Sequence, residues 1–219
     1  MSTLYLYAVL GGPLPAGAGG LEDEPIEAVP AAGAWLAVGR LQRAPEASAV
    51  ALRAHDAAVR RLEAMSEAIL PARFGQTAAD VETLTRRFAD SGDRLRAALS
   101  LVEGCVQMTL RLLGLTPPAA EGTDPARPGT GYLETRRRLA AGEGFSAEVD
   151  GLRRDCAVLV RAERASWSES ASRLTFYHLV ERAMLASYTA VVERHRPALE
   201  QAGRVTISGP WPPYAFANG

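Results

Sequence analysis

The sequence contains few of the residues from which metal and thiol sites are built. Its only cysteines among 219 residues, Cys105 and Cys156, lie far apart and outside any CxxC spacing. This spacing argues against a zinc site or a disulfide scaffold, so we predict two buried, apolar thiols in a reduced cytoplasm. The three histidines, His55, His178 and His195, form no HxxxH or HExxH motif, and we predict no metal and no cofactor.

The chain also lacks an excess of charge and any long apolar run. Its 24 basic and 25 acidic residues give a net charge of -1, which predicts no binding of nucleic acid or anionic membrane by bulk electrostatics. No stretch approaches the roughly 20 apolar residues of a membrane helix, and the start MSTLYLYAVLGG lacks the basic region of a signal peptide. Because GxxxxGK[ST] and GxSxG motifs are absent too, no catalytic residue is predicted.

The composition, with 47% hydrophobic and 22% charged residues, is that of a globular protein with one large or two small cores. Strands are predicted at 3–10, 35–41, 104–113, 173–181 and 205–208, and long helices at 48–69, 132–141, 145–165 and 183–201. In the strand at 104–113, Gln107 and Thr109 should point outward. The mixed order of these elements predicts an α+β layer sandwich. GGPLPAGAGG, residues 11–20, predicts a flexible loop with little ordered structure.

A segment rich in proline and glycine divides the chain into two predicted domains. Residues 114–131, GLTPPAAEGTDPARPGTG, hold four prolines and four glycines without periodicity, which is typical of a linker. We therefore expect an N-terminal α+β domain at 1–113 and a C-terminal α+β domain at 132–219. In the second domain, the two charge-rich helices at 132–141 and 145–165 could cross as a helical hairpin.

Two arginine runs on those helices, ETRRR at 134–138 and LRRD at 152–155, allow two interpretations. They could form a pocket for an anionic ligand, as in a small-molecule sensor or an enzyme. More often such runs are a solvated helix face with ion pairs, here with Glu134, Glu143 and Asp155 as partners. The second interpretation is favoured, because charge alone is weak evidence for a binding site.

The C-terminal tail, GPWPPYAFANG, carries three of the fourteen aromatic residues in its last nine positions. Its prolines, Pro212 and Pro213 among them, should hold the backbone extended and display Trp211, Tyr214 and Phe216 in fixed directions. The tail could clamp onto its own domain or dock in a groove of another protein. Self-packing is the commoner outcome for an ordered terminus.

A second short segment, LPARFG at 70–75, should form a turn or short strand that presents Arg73 and Phe74. Five segments then resemble one family in order along nearly the whole chain: LYLYAVL (4–10), ILPARFGQ (69–76), VEGCVQMTLRL (102–112), GTGYLETRRR (129–138) and GPWPPYAF (209–216). Together they resemble the gas vesicle protein family GvpL/GvpF. The chain departs from the family pattern at Ala72, Gln76, Ala215 and the GGPLPAGAGG insertion, which leaves the L or F branch open.

The resemblance implies two domains, an N-terminal ferredoxin-like α+β domain and a C-terminal α+β domain with coiled-coil-like helices. It implies a role in building gas vesicles in the cytoplasm, through contact with the hydrophobic shell protein and other accessory proteins, and no enzymatic activity. Candidate residues for binding a partner or for locking the domains together are Arg73, Phe74, Trp211, Pro212, Pro213, Tyr214 and Phe216. The rival prediction is a ferredoxin-like sensor or enzyme for an anionic small molecule.

Overall fold

The computed structural model describes residues 2–15, 17–117 and 137–217, and its contacts divide the chain into two compact units. Unit 1 comprises Met1–Val106 and Trp211–Gly219, and unit 2 comprises Gln107–Pro210. Both are mixtures of helices and antiparallel strands, so the α+β prediction is confirmed. Most of the predicted linker lies outside the described residues. The tail, which we expected in the C-terminal domain, groups with unit 1.

Unit 1 is built on a sheet in which β1, the first strand of the chain, is central. Its strands are β1 (Thr3–Leu10), β2 (Ile26–Ala31), β3 (Ala34–Leu41), β4 (Ile69–Pro71) and β5 (Thr77–Ala78). The order is β2-β3-β1-β4, with β5 also paired to β1, and every pair is antiparallel. The helices are α1 (Ala49–Ala64), α2 (Val81–Arg86) and α3 (Gly92–Val102), with short 3-10 helices at Ala89–Ser91 and Tyr214–Phe216.

Unit 2 contains the second sheet, in the order β7-β8-β6-β9. Its elements are β6 (Cys105–Leu113), α4 (Ala147–Cys156), β7 (Val160–Ser168), β8 (Arg173–Glu181), a 3-10 turn at Arg182–Met184, α5 (Leu185–Ala202) and β9 (Arg204–Trp211). Helices α4 and α5 pack on each other. A buried cluster that includes Leu110, Leu152, Phe176, Tyr188 and Val192 joins these helices to the sheet.

The two sheets share one strand order, and only one connection differs. In unit 2 the chain runs β6-α4-β7-β8-α5-β9, which is the ferredoxin-like sequence of elements. Unit 1 repeats this path with β1, β2, β3, α1 and β4, but the loop at 11–25 connects its first two strands where unit 2 has α4. The ferredoxin-like arrangement expected for the N-terminal domain is therefore present there without its first helix.

The loop that replaces this helix is more ordered than its glycine content predicts. The Arg61 guanidinium donates to the carbonyl oxygens of Gly19 at 2.8 Å and Gly20 at 3.2 Å, and Ala18 is buried. The Gly20 N–H donates to the Glu24 carbonyl at 2.7 Å. A Cβ at Gly20 would lie 1.9 Å from the Glu24 carboxylate, so the absence of a side chain at Gly20 lets this carboxylate approach the backbone closely. Arg61 of α1 thus holds a segment whose sequence shows neither helix nor strand periodicity.

The structure corrects three other predictions that were based on sequence periodicity. The helix predicted at 145–165 ends at Cys156, and 160–168 instead form β7, which pairs with β8. The helix predicted at 48–69 ends at Ala64, since Ile69 begins β4. Gln107 and Thr109 are buried and not outward-facing, because β6 is covered on both faces, and the Gln107 amide donates to the Thr109 hydroxyl at 3.1 Å. Of the helix predicted at 132–141, residues 132–136 lie outside the described residues, and 137–140 are helical.

Candidate functional site

Residues 72–75, called the RFG turn below, project from the edge of the sheet in unit 1. The turn lies between β4 and β5, both of which pair with β1, through Ala8↔Pro71 at one end and Leu4↔Ala78 at the other. Because both flanking strands are fixed to β1, the turn has little freedom to move. Arg73 is exposed at its tip, and Phe74 is half-buried against the core of unit 1.

A chain of hydrogen bonds from two buried side chains holds the RFG turn from below. The Gly75 N–H donates to the Tyr5 hydroxyl oxygen at 3.1 Å, and Tyr5 lies 2.9 Å from His55 Nδ1. His55 Nε2 lies 3.2 Å from the Ala72 carbonyl oxygen, which can only accept. Nε2 therefore carries the hydrogen, and Nδ1 accepts from the Tyr5 hydroxyl. The Phe74 ring packs edge-on to both rings, at 6.1 and 5.8 Å between centroids.

This arrangement keeps both buried groups neutral. Burial lowers the pKa of His55 and raises the pKa of Tyr5, and both shifts favour the uncharged form of the side chain. A proton added at His55 Nδ1 would remove the acceptor that the Tyr5 O–H uses. The Tyr5–His55 pair that holds the turn therefore requires His55 to be neutral, with its one hydrogen on Nε2.

We expect the free energy of unfolding to depend on His55 below about pH 6.5. Burial lowers the pKa of His55 in the folded state, so in this range the unfolded chain binds a proton that the folded chain does not. The contribution of neutral His55 to the free energy of unfolding is fully present above the pKa of His55 in the unfolded chain, and it is lost as the pH falls below that value. In denaturant titrations, the stability difference between the intact chain and His55→Gln should narrow by up to about 1.4 kcal/mol per pH unit. Parallel curves would contradict this expectation.

The tail packs against helix α1 of its own unit. The Arg60 guanidinium lies 4.3 Å from the centre of the Trp211 ring, and the Tyr214 hydroxyl donates to Asp56 Oδ1 at 3.2 Å. Asp56 and Arg60 also pair with each other, with 2.8 Å between Oδ2 and Nε. Phe216 is 2% exposed. The prolines Pro212 and Pro213 are buried as well, whereas Trp211 and Tyr214 remain partly exposed.

These contacts explain why residues 211–217 group with unit 1. The 3-10 turn at Tyr214–Phe216 also contacts β4, the short strand at the edge of the sheet. An uncovered edge strand offers unpaired backbone groups to other chains, and covering such an edge with a loop is a common protection. The aromatic tail therefore packs within this protein, but against the N-terminal unit and not against the C-terminal domain in which we expected it.

A groove of about 370 Å³ lies beside the RFG turn. Its lining comes from β1, β4, the segment around Phe88, helix α3 and the end of the tail, and comprises Leu6, Val9, Leu70, Pro71, Ala72, Arg73, Gln76, Phe88, Leu95 and Ala217. Arg73 is the only charged residue of this lining. Within the described ranges its side chain has no carboxylate partner. The site therefore combines a concave surface lined mainly by apolar side chains, on which polar and apolar atoms are exposed to a similar extent, with the Arg73 guanidinium and the Gln76 amide.

The arginine run in unit 2 forms ion pairs, and Arg153 and Arg154 also line a groove of about 450 Å³ together with Arg161. Arg153 binds the Glu163 carboxylate through Nε at 3.1 Å and Nη2 at 2.7 Å. Asp155 pairs with His195 at 2.8 Å, and this hydrogen bond lowers the pKa of the Asp155 carboxyl. Most of the other run, 134–136, lies outside the described residues. These pairs are of the kind expected for the ion-paired helix face that we favoured, whereas the three arginines around the groove keep a pocket for an anionic ligand as the alternative prediction.

Unit 2 also contains a buried polar group that the sequence did not reveal. His178 is fully buried, with Nδ1 2.8 Å from the Tyr188 hydroxyl and Nε2 3.0 Å from Glu163 Oε2. Burial acts to raise the pKa of Glu163, but hydrogen bonds from His178 and Arg153 hold it below its ordinary value. Glu181, which is close to His178 in sequence, pairs with Arg161. The partner of His178 is the cross-strand residue Glu163, which only the β7–β8 register identifies.

In the part of the chain that the structure describes, no three His, Cys, Asp or Glu side chains are grouped so that they could hold a metal ion. Among the same residues, no helix has both the length and the apolar character needed to cross a bilayer. Cys105 and Cys156 are both buried, and burial raises the pKa of the Cys156 thiol to about 11.

Fold and site together define a two-unit α+β protein with a preformed apolar groove on its first unit. The family model of the gas vesicle synthesis proteins GvpL/GvpF matches residues 3–218, and the chain belongs to this family. Gas vesicle protein L of a Streptomyces species is 29% identical over 251 aligned positions, which cover 98% of this chain and 92% of that protein. The family resemblance of the sequence is therefore confirmed.

Two solved structures share the fold. The gas vesicle protein GvpF from an Anabaena species superposes with a TM-score of 0.74 at 17% identity, covering 100% of this chain and 97% of that one. GvpF from Microcystis aeruginosa gives a TM-score of 0.76 at 17% identity, with 99% of both chains covered. At this identity the likeness concerns the fold, and it supports the mixed α+β architecture described above.

Proposed function

We propose that this protein acts in gas vesicle formation by binding the shell subunit, and with it other accessory proteins, during nucleation or early growth of the vesicle. Membership of the GvpL/GvpF family supports a gas vesicle role. A wall that excludes water on its inner face must be made of very apolar subunits. Such subunits would aggregate as free monomers unless another protein shields their exposed surface. An accessory protein of the cytoplasm that offers an apolar site could supply this protection.

The groove beside the RFG turn is the feature that supports this role most directly. Its apolar side chains come from β1, β4, the segment around Phe88, helix α3 and the end of the tail, and the turn at its rim is held by Tyr5 and His55. A site that exists before the partner arrives loses little conformational entropy on binding. We therefore assign shell binding to the groove and to Arg73 at its rim.

The candidate residues of the tail have a different part in this proposal. Phe216, Pro212 and Pro213 are buried within unit 1, so they cannot contact a partner unless the tail is released. Trp211 and Tyr214 are engaged by Arg60 and Asp56. We propose that these residues support the groove structurally, and that Phe74 does the same for the RFG turn.

Capture of the shell subunit tests the proposal. The tagged intact chain, co-expressed with its organism's major shell subunit, should retain that subunit on an affinity resin. Leu95→Glu places a carboxylate on the apolar lining, which is unfavourable to desolvate, and should reduce capture by about tenfold or more. Leu101→Glu is the matched control, because Leu101 lies on the same helix, is 36% exposed and is not part of the groove.

The outcomes separate the parts of the proposal, provided that circular dichroism shows each variant to be folded. If the intact chain does not capture the subunit, direct shell binding is wrong and another accessory protein must be the partner. If Leu95→Glu captures it as well as Leu101→Glu does, the groove is not the site. A folded Trp211→Ala/Tyr214→Ala variant should still capture the subunit. Loss of capture by that variant would make the tail a binding element.

A further inference from the structure

We infer that the groove takes a short apolar segment of a partner protein that carries one carboxylate, and that Arg73 binds this carboxylate. The inference rests on the proposed function for the identity of the partner, and it adds the chemistry of the segment. It is carried by the size of the groove, by its apolar lining and by the single charge at its rim.

The size of the groove limits what can enter it. Its volume of about 370 Å³ is at the lower end of the range of about 300–1,000 Å³ found for small-molecule sites. It has room for a few side chains and not for a whole helix or domain. Half of the ten lining residues are the apolar side chains of Leu6, Val9, Leu70, Phe88 and Leu95, so apolar side chains of a partner can leave water there.

The single charged residue of the groove indicates which polar group the bound segment carries. Arg73 alone carries a charge in the lining, and in the described part of the chain it pairs with no carboxylate. A guanidinium beside an apolar wall is best matched by a planar carboxylate, to which it donates two parallel hydrogen bonds. The attraction is stronger beside a low-dielectric wall than in open water. A wholly apolar segment would leave this cation without a partner.

The position of Arg73 is fixed by the fold. Its neighbour Ala72 accepts a hydrogen bond from His55, and the N–H of Gly75 donates to Tyr5. The backbone on both sides of Arg73 is therefore anchored to buried groups of β1 and α1. On the groove side, Gln76 adds an amide that can both donate and accept, next to the position of the carboxylate. The arrangement suits recognition of one acidic side chain within an apolar sequence.

A charge-swap experiment with the full chain tests this inference. Overlapping fluorescent peptides that cover the major shell subunit are titrated with the intact protein, and binding is followed by anisotropy. The tightest-binding peptide should contain an acidic residue among apolar ones, and its amide version, with Glu→Gln or Asp→Asn, should bind about tenfold more weakly. Arg73→Glu should weaken binding of the acidic peptide by at least as much. It should regain affinity for a peptide in which the acidic residue is replaced by lysine.

Arg43→Glu is the control for the change in net charge, because Arg43 is exposed and lies outside the groove. It should bind the acidic peptide as the intact chain does. The inference is overturned if Arg73→Glu also binds that peptide with unchanged affinity, or if the tightest peptide contains no acidic residue. It is equally overturned if sedimentation shows a dimer that Arg73→Glu dissociates, since a second copy would then occupy the groove.

The inference and the proposed function can fail separately. If the intact chain captures the whole shell subunit but Arg73→Glu captures it equally well, shell binding stands and the carboxylate partner of Arg73 is wrong. If the intact chain captures no shell subunit, the proposed function itself is wrong. In that case an acidic peptide from another gas vesicle protein that loses about tenfold in affinity for Arg73→Glu would still support the chemistry of the groove.

Discussion

Replacing Phe216 with alanine should lower the free energy of unfolding of unit 1 by about 3–5 kcal/mol, although the residue lies only three positions from the end of the sequence. The expectation follows from the burial of its ring, which is 2% exposed, because truncation of a buried aromatic ring removes apolar contacts and leaves a cavity. Denaturant titration combined with native-state hydrogen exchange would assign the loss to unit 1 rather than to unit 2.

Trp211→Ala is the matched control, because it also removes a large aromatic ring from the tail. The Trp211 ring is partly exposed, and its contact with Arg60 at 4.3 Å is near the surface. Such cation–π contacts contribute about 0.5–1 kcal/mol at exposed sites, so the loss should be well below that of Phe216→Ala. Equal effects of the two substitutions, or a loss below about 1 kcal/mol for Phe216→Ala, would show that the tail is not anchored through its buried ring.

Gly203→Ala should destabilise unit 2 by about 2–3 kcal/mol, near the upper end of the usual cost of overpacking. Gly203 follows α5 and has an extended backbone, with φ of 172°, so alanine is conformationally acceptable there. The problem is space. A Cβ at this position would lie 2.4 Å from the carbonyl oxygen of Leu113 and 3.6 Å from the Leu115 side chain. Because the nearest atom belongs to the backbone, the chain itself must shift to relieve the overlap.

Gly12→Ala provides a comparison in which the same methyl group is added to open space. No atom lies within 4 Å of a Cβ built at Gly12. This change should therefore alter the free energy of unfolding by no more than about 0.5 kcal/mol, as is usual for surface substitutions. Both variants would be compared by denaturant titration of the full chain. If Gly203→Ala proved as mild as Gly12→Ala, the chain near Leu113 would be more adaptable than its packing indicates.

The two parts of the predicted site differ in their exposure and contacts. The sequence singled out the tail and the RFG turn together as places where a partner could bind. In the structure, the tail residues are largely buried against α1 and β4 of their own unit, whereas Arg73 is exposed beside an apolar groove. A tail that covers a sheet edge also protects that edge from other chains, which matters for a protein proposed to handle aggregation-prone subunits.

Local sequence patterns determined a large part of the fold. The β-branched and aromatic residues of β1 and the alternation in β8 predicted strands at 3–10 and 173–181, and the structure has them within the same bounds. Residue identity along the chain, above all ILPARFGQ and GPWPPYAF, was sufficient to indicate the family. These features are visible because strand periodicity and short motifs are properties of neighbouring residues.

The tertiary structure alone decided the elements that depend on distant partners. The charged segment Val160–Ser168 resembles a helix in sequence, and it is a strand because β8 pairs with it. The glycine-rich loop at 11–25 is ordered by Arg61, and the RFG turn by Tyr5 and His55, which are fifty positions apart. The position of the tail in the fold depends on contacts such as that between Tyr214 and Asp56, which are 158 positions apart in the sequence. Periodicity reports which face of an element is apolar, but it does not specify which distant segment covers that face, and the groove exists only where several such segments meet.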